Sequence, residues 1–229
     1  TRRGYVEPGN DFKEVYNRGE IMPYFHRSGA PMELEVTGHN TPEPVILSLP
    51  AIPEAVSDIL QKVGAASVAD CSFHCVECLI PSLRGTINDA LDDVDGFDQV
   101  NEFARCLAQK KRVWDEADRI KYKALLAAAG HPDLQEAAEL AEALDEYELR
   151  PEVAESWEYA ELVLREKYPD LPEELFQTPQ AARIGQRWLE QGDAAITDYG
   201  LLRRKDGGLL LRFQQEQQIQ QRQGGMEMR

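Results

Sequence analysis

Long apolar runs are missing from this sequence. The longest apolar patches, Pro44–Leu49 and Leu209–Leu211, have the length of a short strand, whereas a transmembrane helix needs about 20 consecutive apolar residues. The first residues, Thr1–Tyr5, carry charge with no apolar stretch behind them, so we predict no signal peptide. We therefore expect a cytoplasmic protein that does not contact a membrane.

Cations are also scarce. The 229 residues include 25 Lys and Arg against 41 Asp and Glu, for a net charge of −16. Such a chain repels nucleic acid and anionic membrane surfaces. We therefore expect no direct binding to nucleic acid, and we expect a positively charged protein as partner. The length suits one domain with a sizeable core or two or three small ones.

Catalytic motifs are absent as well. There is no G-x-S-x-G elbow, no phosphate-binding loop and no dinucleotide fingerprint. The four histidines (His26, His39, His74 and His131) are scattered without i, i+4 pairing. We predict no catalytic residue and no cofactor, and therefore a protein that is not an enzyme.

Cysteine is infrequent, but three of the four cysteines fall within eight positions as C-x₃-C-x₂-C. That spacing occurs in [4Fe–4S] proteins, and Cys71, Cys75 and Cys78 with His74 or Cys106 could supply four zinc ligands. Strand alternation would place Cys71 and Cys75 on one face and Cys78 on the other, which disfavours a shared metal. We predict no metal and thiols packed in a half-buried strand, with a thiolate-metal protein as an alternative.

Short strands alternate with helices along the chain, which predicts an α+β fold made of small units. The predicted segments are an N-terminal extension over 1–42 with little core of its own, a small α+β domain over 43–93, a helical domain over 94–130, an acidic α+β domain over 131–213 and a disordered Gln-rich tail over 214–229.

Apolar periodicity and breaker residues predict the individual elements. The predicted strands are Phe12–Tyr16, Met32–Val36, Pro44–Leu49, Ser67–Ile80, Ala195–Lys205 and Gly208–Phe213, the last two joined by a turn at Lys205–Gly208. The first predicted helix begins at Pro53 and is stopped by Gly64, and the second begins after a cap at Asp95. A basic helical stretch follows and ends near Gly130. The remaining predicted helices are Asp133–Leu144, Glu152–Tyr168 and Pro179–Leu189.

Acidic residues are concentrated between Pro132 and Phe176, a segment that contains 15 carboxylates and only three basic side chains. Two rows repeat every three residues, the first from Asp133 to Glu142 and the second from Glu152 to Glu161. Like charges at this helical spacing cost a few tenths of a kcal/mol per pair. We interpret the rows as a binding surface that presents charge as the phosphates of DNA do. The alternative is an ordinary solvated helix face.

A basic stretch precedes these rows, comprising Lys110, Lys111, Arg112, Arg119, Lys121 and Lys123. Because the net field of the molecule repels phosphate, we expect these side chains to face the protein's own acidic helices or a dimer partner.

Three short segments of the sequence resemble a known family: Phe97–Ala104, Ala143–Leu149 and Thr197–Arg204. In order and spacing they resemble the ArdA antirestriction family, acidic DNA mimics of mobile elements, and the resemblance covers about Pro44 to Phe213. It implies an elongated homodimer of small α+β domains in a bacterial host. Such a protein blocks type I restriction–modification enzymes by occupying their DNA groove.

The resemblance also implies a mimic surface and leaves a second function open. The surface would comprise Asp89, Asp92, Asp93, Asp95, Asp98, Asp133, Glu136, Glu139, Glu142, Asp145, Glu146, Glu148, Glu152, Glu155, Glu158, Glu161, Glu166, Asp170, Glu173 and Glu174. The N-terminal extension, the basic stretch and the Gln-rich tail depart from the family pattern. The alternative is therefore an acidic module of a mobile element that binds another basic DNA-binding protein, as an anti-CRISPR protein or a conjugation regulator would.

Overall fold

The computed structural model describes residues 29–38, 41–176 and 178–210, which form an α+β fold as predicted. The strands are β1 Met32–Gly38, β2 Thr41–Leu49, β3 Cys71–Cys78, β4 Tyr147–Arg150, β5 Ala194–Thr197 and β6 Gly200–Arg204. The helices are α1 Pro53–Val63, α2 Arg84–Leu91, α3 Gly96–Val113, α4 Glu116–Ala129, α5 Leu134–Glu142, α6 Ser156–Lys167 and α7 Pro179–Glu190. Short 3₁₀ segments lie at Val68–Asp70, Pro81–Leu83, Ala143–Glu146 and Glu173–Leu175.

The first sheet places β1 between β2 and β3, and both pairings are antiparallel. Met32, Leu34 and Val36 alternate along β1 and are fully buried beneath α1 and α2. The predicted extended element at Met32–Val36 is confirmed. Its assignment to an extension with little core is wrong, because β1 is the central strand and hydrogen-bonds to a neighbour on each edge.

The second sheet has the order β4-β6-β5, again antiparallel, with β6 in the centre. Adjacent residues of β6 point to opposite faces. Leu202 joins the main core, to which α4 contributes, whereas Leu201 joins a second buried cluster built from α6, α7 and β5. This sheet is therefore covered on both faces.

Most predicted helices are confirmed. Helix α1 begins at Pro53 and ends before Gly64, which adopts the left-handed conformation typical of a helix C-terminus. Helix α3 follows Asp95 as predicted. Helices α5 and α6 are shorter than predicted, because Asp133 and Glu155 cap them and lie outside them.

The last strands differ from the prediction. The predicted single strand Ala195–Lys205 is instead the hairpin β5–β6, which turns at Asp198 and Tyr199. Gly200 begins β6 with φ of 114°, and a Cβ there would lie 2.4 Å from the Arg150 carbonyl oxygen. Only glycine accommodates both this dihedral and this contact. The predicted turn at Lys205–Gly208 is also present, because Gly207 donates to the Arg204 carbonyl over 3.2 Å, but it follows β6 and joins no second strand among the described residues.

Two elements were not predicted. Helix α2 contains Gly85 and Thr86 and buries only Ile87, so it lacks an apolar stripe that periodicity can detect. Strand β4 has four residues, two of them charged, and pairs with β6 fifty residues away. The carboxylate-rich turn between α2 and α3 is therefore short and spans Asp92–Asp95.

A common core crosses the predicted segment boundaries. Asn101 on α3 donates to the Ala51 carbonyl over 3.1 Å and accepts from the Ala51 backbone N–H over 2.7 Å. Tyr122 on α4 donates to the Ala137 carbonyl on α5 over 2.7 Å and stacks against Trp114. The segments predicted for 43–93, 94–130 and 131–213 thus share buried contacts, and their division into domains stays a prediction.

Some predictions lie outside the described residues, namely the strand at Phe12–Tyr16, the Gln-rich tail over 214–229 and the end of the strand at Gly208–Phe213. The described residues 208–210 are not in a strand. Within the described ranges, no helix combines the length and the apolar character that crossing a membrane requires.

Candidate acidic interaction surface

Five predicted mimic residues surround the α2–α3 turn: Asp89, Asp92, Asp93, Asp95 and Asp98. All five are exposed, and none forms an ion pair within the described part of the chain. Asp92 and Asp93 follow the C-terminus of α2, where the helix dipole disfavours negative charge. Their position is therefore not explained by stabilisation of that helix.

Three adjoining grooves connect these residues to α5. The first groove, about 880 Å³, lies between α3 and α5, and the second, about 670 Å³, shares Gln99, Leu134 and Gln135 with it. The third, about 540 Å³, shares Asp93 with the second. Their shared walls join the α2–α3 turn and the outer side of α5 into one surface.

We call the carboxylates that line these grooves the acidic face: Asp89, Asp92, Asp93, Asp95, Asp98, Glu102, Asp133, Glu139, Glu142 and Glu146. No lysine or arginine is among the described residues that line the three grooves, and His131 is the single basic side chain there. Glu102 was not predicted, although it lies one helical turn after Asp98 and continues the same side of α3.

Among the described residues, the cations that pair with the acidic face lie outside the three grooves. Lys110 donates to Glu142 over 2.9 Å, and this hydrogen bond lowers the pKa of the Glu142 carboxyl. Glu102 pairs with Arg105 on the same helix, and Glu146 pairs with Arg204 over 3.0 Å. The prediction that the basic stretch faces the protein's own acidic helices is confirmed for Lys110.

The two acidic rows are partly helix caps. Asp133 accepts from the Glu136 backbone N–H over 2.8 Å, and Glu136 accepts from the Asp133 N–H over 3.2 Å. Glu158 likewise accepts from the backbone N–H of Glu155 over 2.9 Å. Such reciprocal caps stabilise helix N-termini. Asp133, Glu136 and Glu158 therefore accept hydrogen bonds at helix N-termini, and the cost of like charges along the rows stays a prediction.

The second row and its neighbours are largely neutralised by arginine. Arg203 contacts Glu166 through two hydrogen bonds of 2.7 and 2.9 Å and Glu148 through one of 3.0 Å. These bonds lower the pKa of Glu166 and raise that of Arg203. The remaining pairs join Arg165 to Glu161 and Glu173, and Arg150 to Glu148 and Glu152.

The structure thus separates the predicted surface into two parts. Asp89 to Asp98, Asp133, Glu139, Glu142 and Glu146 share the acidic face. Glu148 to Glu174 lie outside the three grooves. Asp145, Asp170 and Glu174 are exposed without an ion pair to another described residue, but they line none of the three grooves.

The cysteine strand departs from simple alternation. Cys75 pairs with Leu34 and Glu77 with Glu33, so Val76 is an extra residue, a β-bulge. The bulge turns Cys78 to the same face as Cys75, and both side chains are buried. The predicted opposite orientation of Cys78 is therefore wrong.

The thiols are not arranged for a metal. Burial raises the pKa of Cys75 to about 12 and that of Cys78 to about 11, and it also raises the pKa values of Cys71 and Cys106. In the part of the chain that the structure describes, no three His, Cys, Asp or Glu side chains are grouped to hold an ion, which leaves the thiolate-metal alternative without geometric support.

Comparison with known proteins gives no assignment. No protein-family model matches the sequence, and no curated protein matches it.

Proposed function

We propose that this protein is an antirestriction DNA mimic that inhibits type I restriction–modification enzymes by occupying their DNA-binding groove. The observation that carries the proposal is the acidic face, where ten carboxylates line three adjoining grooves and no lysine or arginine is among the described lining residues. The family resemblance stated above supplies the class of target.

Electrostatics explains why such a face would compete with DNA. Much of the affinity of proteins for DNA comes from cationic side chains that meet phosphates. A fixed array of carboxylates attracts the same cations, and the net charge of −16 accelerates the encounter at low salt. The seven carboxylates of the face that have no ion pair within the described residues, Asp89, Asp92, Asp93, Asp95, Asp98, Asp133 and Glu139, contribute most to this field.

The proposed inhibition requires no reaction of the inhibitor, because occupying the groove is sufficient. The protein would act in the cytoplasm of a bacterial host, where the restriction enzyme works. We also propose a homodimer, which would lengthen the anionic surface. Sedimentation of the full chain measures this state directly.

The proposal is tested by competition between this protein and a labelled DNA duplex for a purified type I enzyme. Displacement of the duplex should weaken steeply as salt rises, since both ligands bind through charge. If the duplex and this protein bind the enzyme at the same time, mimicry is wrong.

A matched pair of variants locates the surface. The triple variant Asp92→Asn, Asp93→Asn and Asp95→Asn removes three exposed charges from the acidic face and should weaken inhibition at least about tenfold. The control Glu43→Gln, Glu54→Gln and Asp58→Asn removes three exposed charges elsewhere and should inhibit nearly as the unaltered protein does. Equal loss in both variants would indicate that only net charge matters.

A further inference from the structure

The groove between α3 and α5 has an apolar floor. Phe103 and Cys106 line it from α3, and Leu134 and Ala138 line it from α5, with Ala143 just beyond that helix. Both alanines are half-buried and small, so the facing helices leave open volume where larger side chains would have met. The result is an open cleft rather than a packed seam.

The rim of the same groove is acidic. Glu102 lies on the α3 side, and Glu139, Glu142 and Glu146 lie on the other. Three of these carboxylates have one internal cation each, and Glu139 accepts a hydrogen bond of 3.0 Å from Gln135. An apolar centre between rows of carboxylates differs from a phosphate backbone, which offers charge without an adjoining apolar cleft.

This combination selects a particular partner chemistry. A ligand that matches it carries apolar side chains on one stripe and Lys or Arg on the flanks, as a basic amphipathic helix does. Its apolar side chains would cover the floor, while its cations would meet the rim. The groove volume of about 880 Å³ is enough for several side chains.

We infer that the α3–α5 groove receives a basic amphipathic segment of the target protein, so that the target is held by an apolar anchor as well as by charge. This inference rests on the proposed function for the identity of the target. It goes beyond mimicry because part of the binding would then resist salt.

A direct assay uses the full chain and a synthetic peptide. The probe is a fluorescent helical peptide of about five turns with leucines at i, i+3, i+4 and i+7 and lysines on the flanks. A scrambled peptide of the same composition is the control. We expect the patterned peptide to bind about tenfold more tightly than the scrambled one, and its advantage to persist at about 0.5 M NaCl. Equal affinities would overturn the inference.

A matched pair of protein variants tests the location. Ala138→Phe fills the floor without changing charge, and it should weaken binding of the patterned peptide about tenfold. Ala117→Phe adds the same side chain at an exposed position of α4 outside the grooves and should have no effect. Thermal unfolding of both variants verifies that they are folded. Unchanged binding by folded Ala138→Phe overturns the proposed site.

Cysteine labelling gives a second readout. Cys106 lines the α3–α5 groove, whereas Cys71, which is also half-buried, lines the third groove at the start of β3. Saturating peptide should slow alkylation of Cys106 and leave Cys71 unaffected. If Cys106 in the peptide-free chain reacts as slowly as fully buried Cys75, the protein's own residues cover the groove and the inference is wrong.

The two proposals fail separately. The peptide assay contains neither enzyme nor DNA, so its result stands even when the competition experiment fails. Conversely, if the acidic-face triple variant loses inhibition while Ala138→Phe inhibits fully, mimicry holds and the groove inference is overturned.

Discussion

Lys110 donates a 2.9 Å hydrogen bond to Glu142 at one edge of the acidic face. The lysine lies near the C-terminus of α3 and the glutamate at the C-terminus of α5. This contact joins the two helices that form the first groove, and it places a positive charge beside an otherwise negative rim. The pair therefore determines how strongly Glu142 attracts a cationic partner.

Replacing Lys110 with methionine should strengthen that charge. The change leaves Glu142 without a cation but with its hydrogen bond from the Cys106 thiol. Its pKa therefore rises toward the ordinary value, and association with a cationic partner should accelerate a few-fold at low salt. The loss in stability should stay below about 1 kcal/mol, because the glutamate is largely exposed. Stopped-flow mixing with the fluorescent patterned peptide measures the association rate. Lys62→Met, which changes net charge equally at an exposed site on α1, should accelerate binding less.

Gly185 allows the close crossing of α6 and α7. A Cβ at Gly185 would lie 1.9 Å from the Ser156 carbonyl oxygen and 3.1 Å from the Ala160 Cβ. Gly185→Ala should therefore lower the free energy of unfolding by about 2 kcal/mol or more. Denaturant unfolding measures the change. Gly85→Ala on α2 meets no atom within 4 Å and should instead stabilise by about 0.5–1 kcal/mol. If Gly185→Ala left the free energy of unfolding unchanged, the close packing of α6 on α7 would be contradicted.

Asp133 should contribute to stability as a helix cap. Asp133→Ala removes the acceptor of the Glu136 backbone N–H and should cost about 1 kcal/mol in the free energy of unfolding. Asp170→Ala removes an exposed carboxylate that has no ion pair within the described residues and should change stability by less than about 0.5 kcal/mol. Thermal denaturation at neutral pH compares the two. Equal effects would show that the cap is not formed in solution.

The Arg203–Glu166 pair should make stability depend on pH. The hydrogen bonds from Arg203 lower the pKa of folded Glu166 below its unfolded value. The stabilisation is therefore present above the unfolded pKa of about 4.3 and is lost as pH falls through the lower folded pKa. Because Glu166 is partly exposed and screened, the contribution at neutral pH should be about 1 kcal/mol.

The variant Arg203→Met should flatten the acid limb of the stability curve, measured by urea unfolding between about pH 7 and pH 3. Arg183→Met, at an exposed position on α7 with no ion pair among the described residues, is the control and should leave the limb unchanged. A limb that is equally steep in both variants would contradict the assignment to Glu166.

Elements whose signals are local were predictable. Helix α1 follows from Pro53, the apolar spacing and Gly64, and α3 follows from the stripe that begins at Phe97. Helix α2 and strand β4 could not be predicted in this way. Their stability comes from tertiary contacts: α2 packs against β3 and α3, and β4 pairs with β6, which is distant in sequence.

The orientation of the acidic side chains could not be predicted reliably from the sequence. Residues three apart were expected to form straight rows, yet Asp133 and Glu155 precede their helices and accept backbone hydrogen bonds. Likewise, the bulge at Val76 reversed the expected orientation of Cys78. A residue that precedes a helix is not on that helix's face, and a one-residue change in strand register moves the side chains that follow it to the opposite face.

By itself the sequence determined the charge, the α+β class and most helix positions, because these depend on composition and on periodicity over a few turns. Only the tertiary structure decided which carboxylates remain without a cation. Arg203 reaches Glu148 and Glu166 across 55 and 37 residues, while the α2–α3 turn and α5 meet along grooves whose described lining residues include no lysine or arginine. Neutralisation depends on distance in space, and folding alone sets that distance for residues so far apart in the chain.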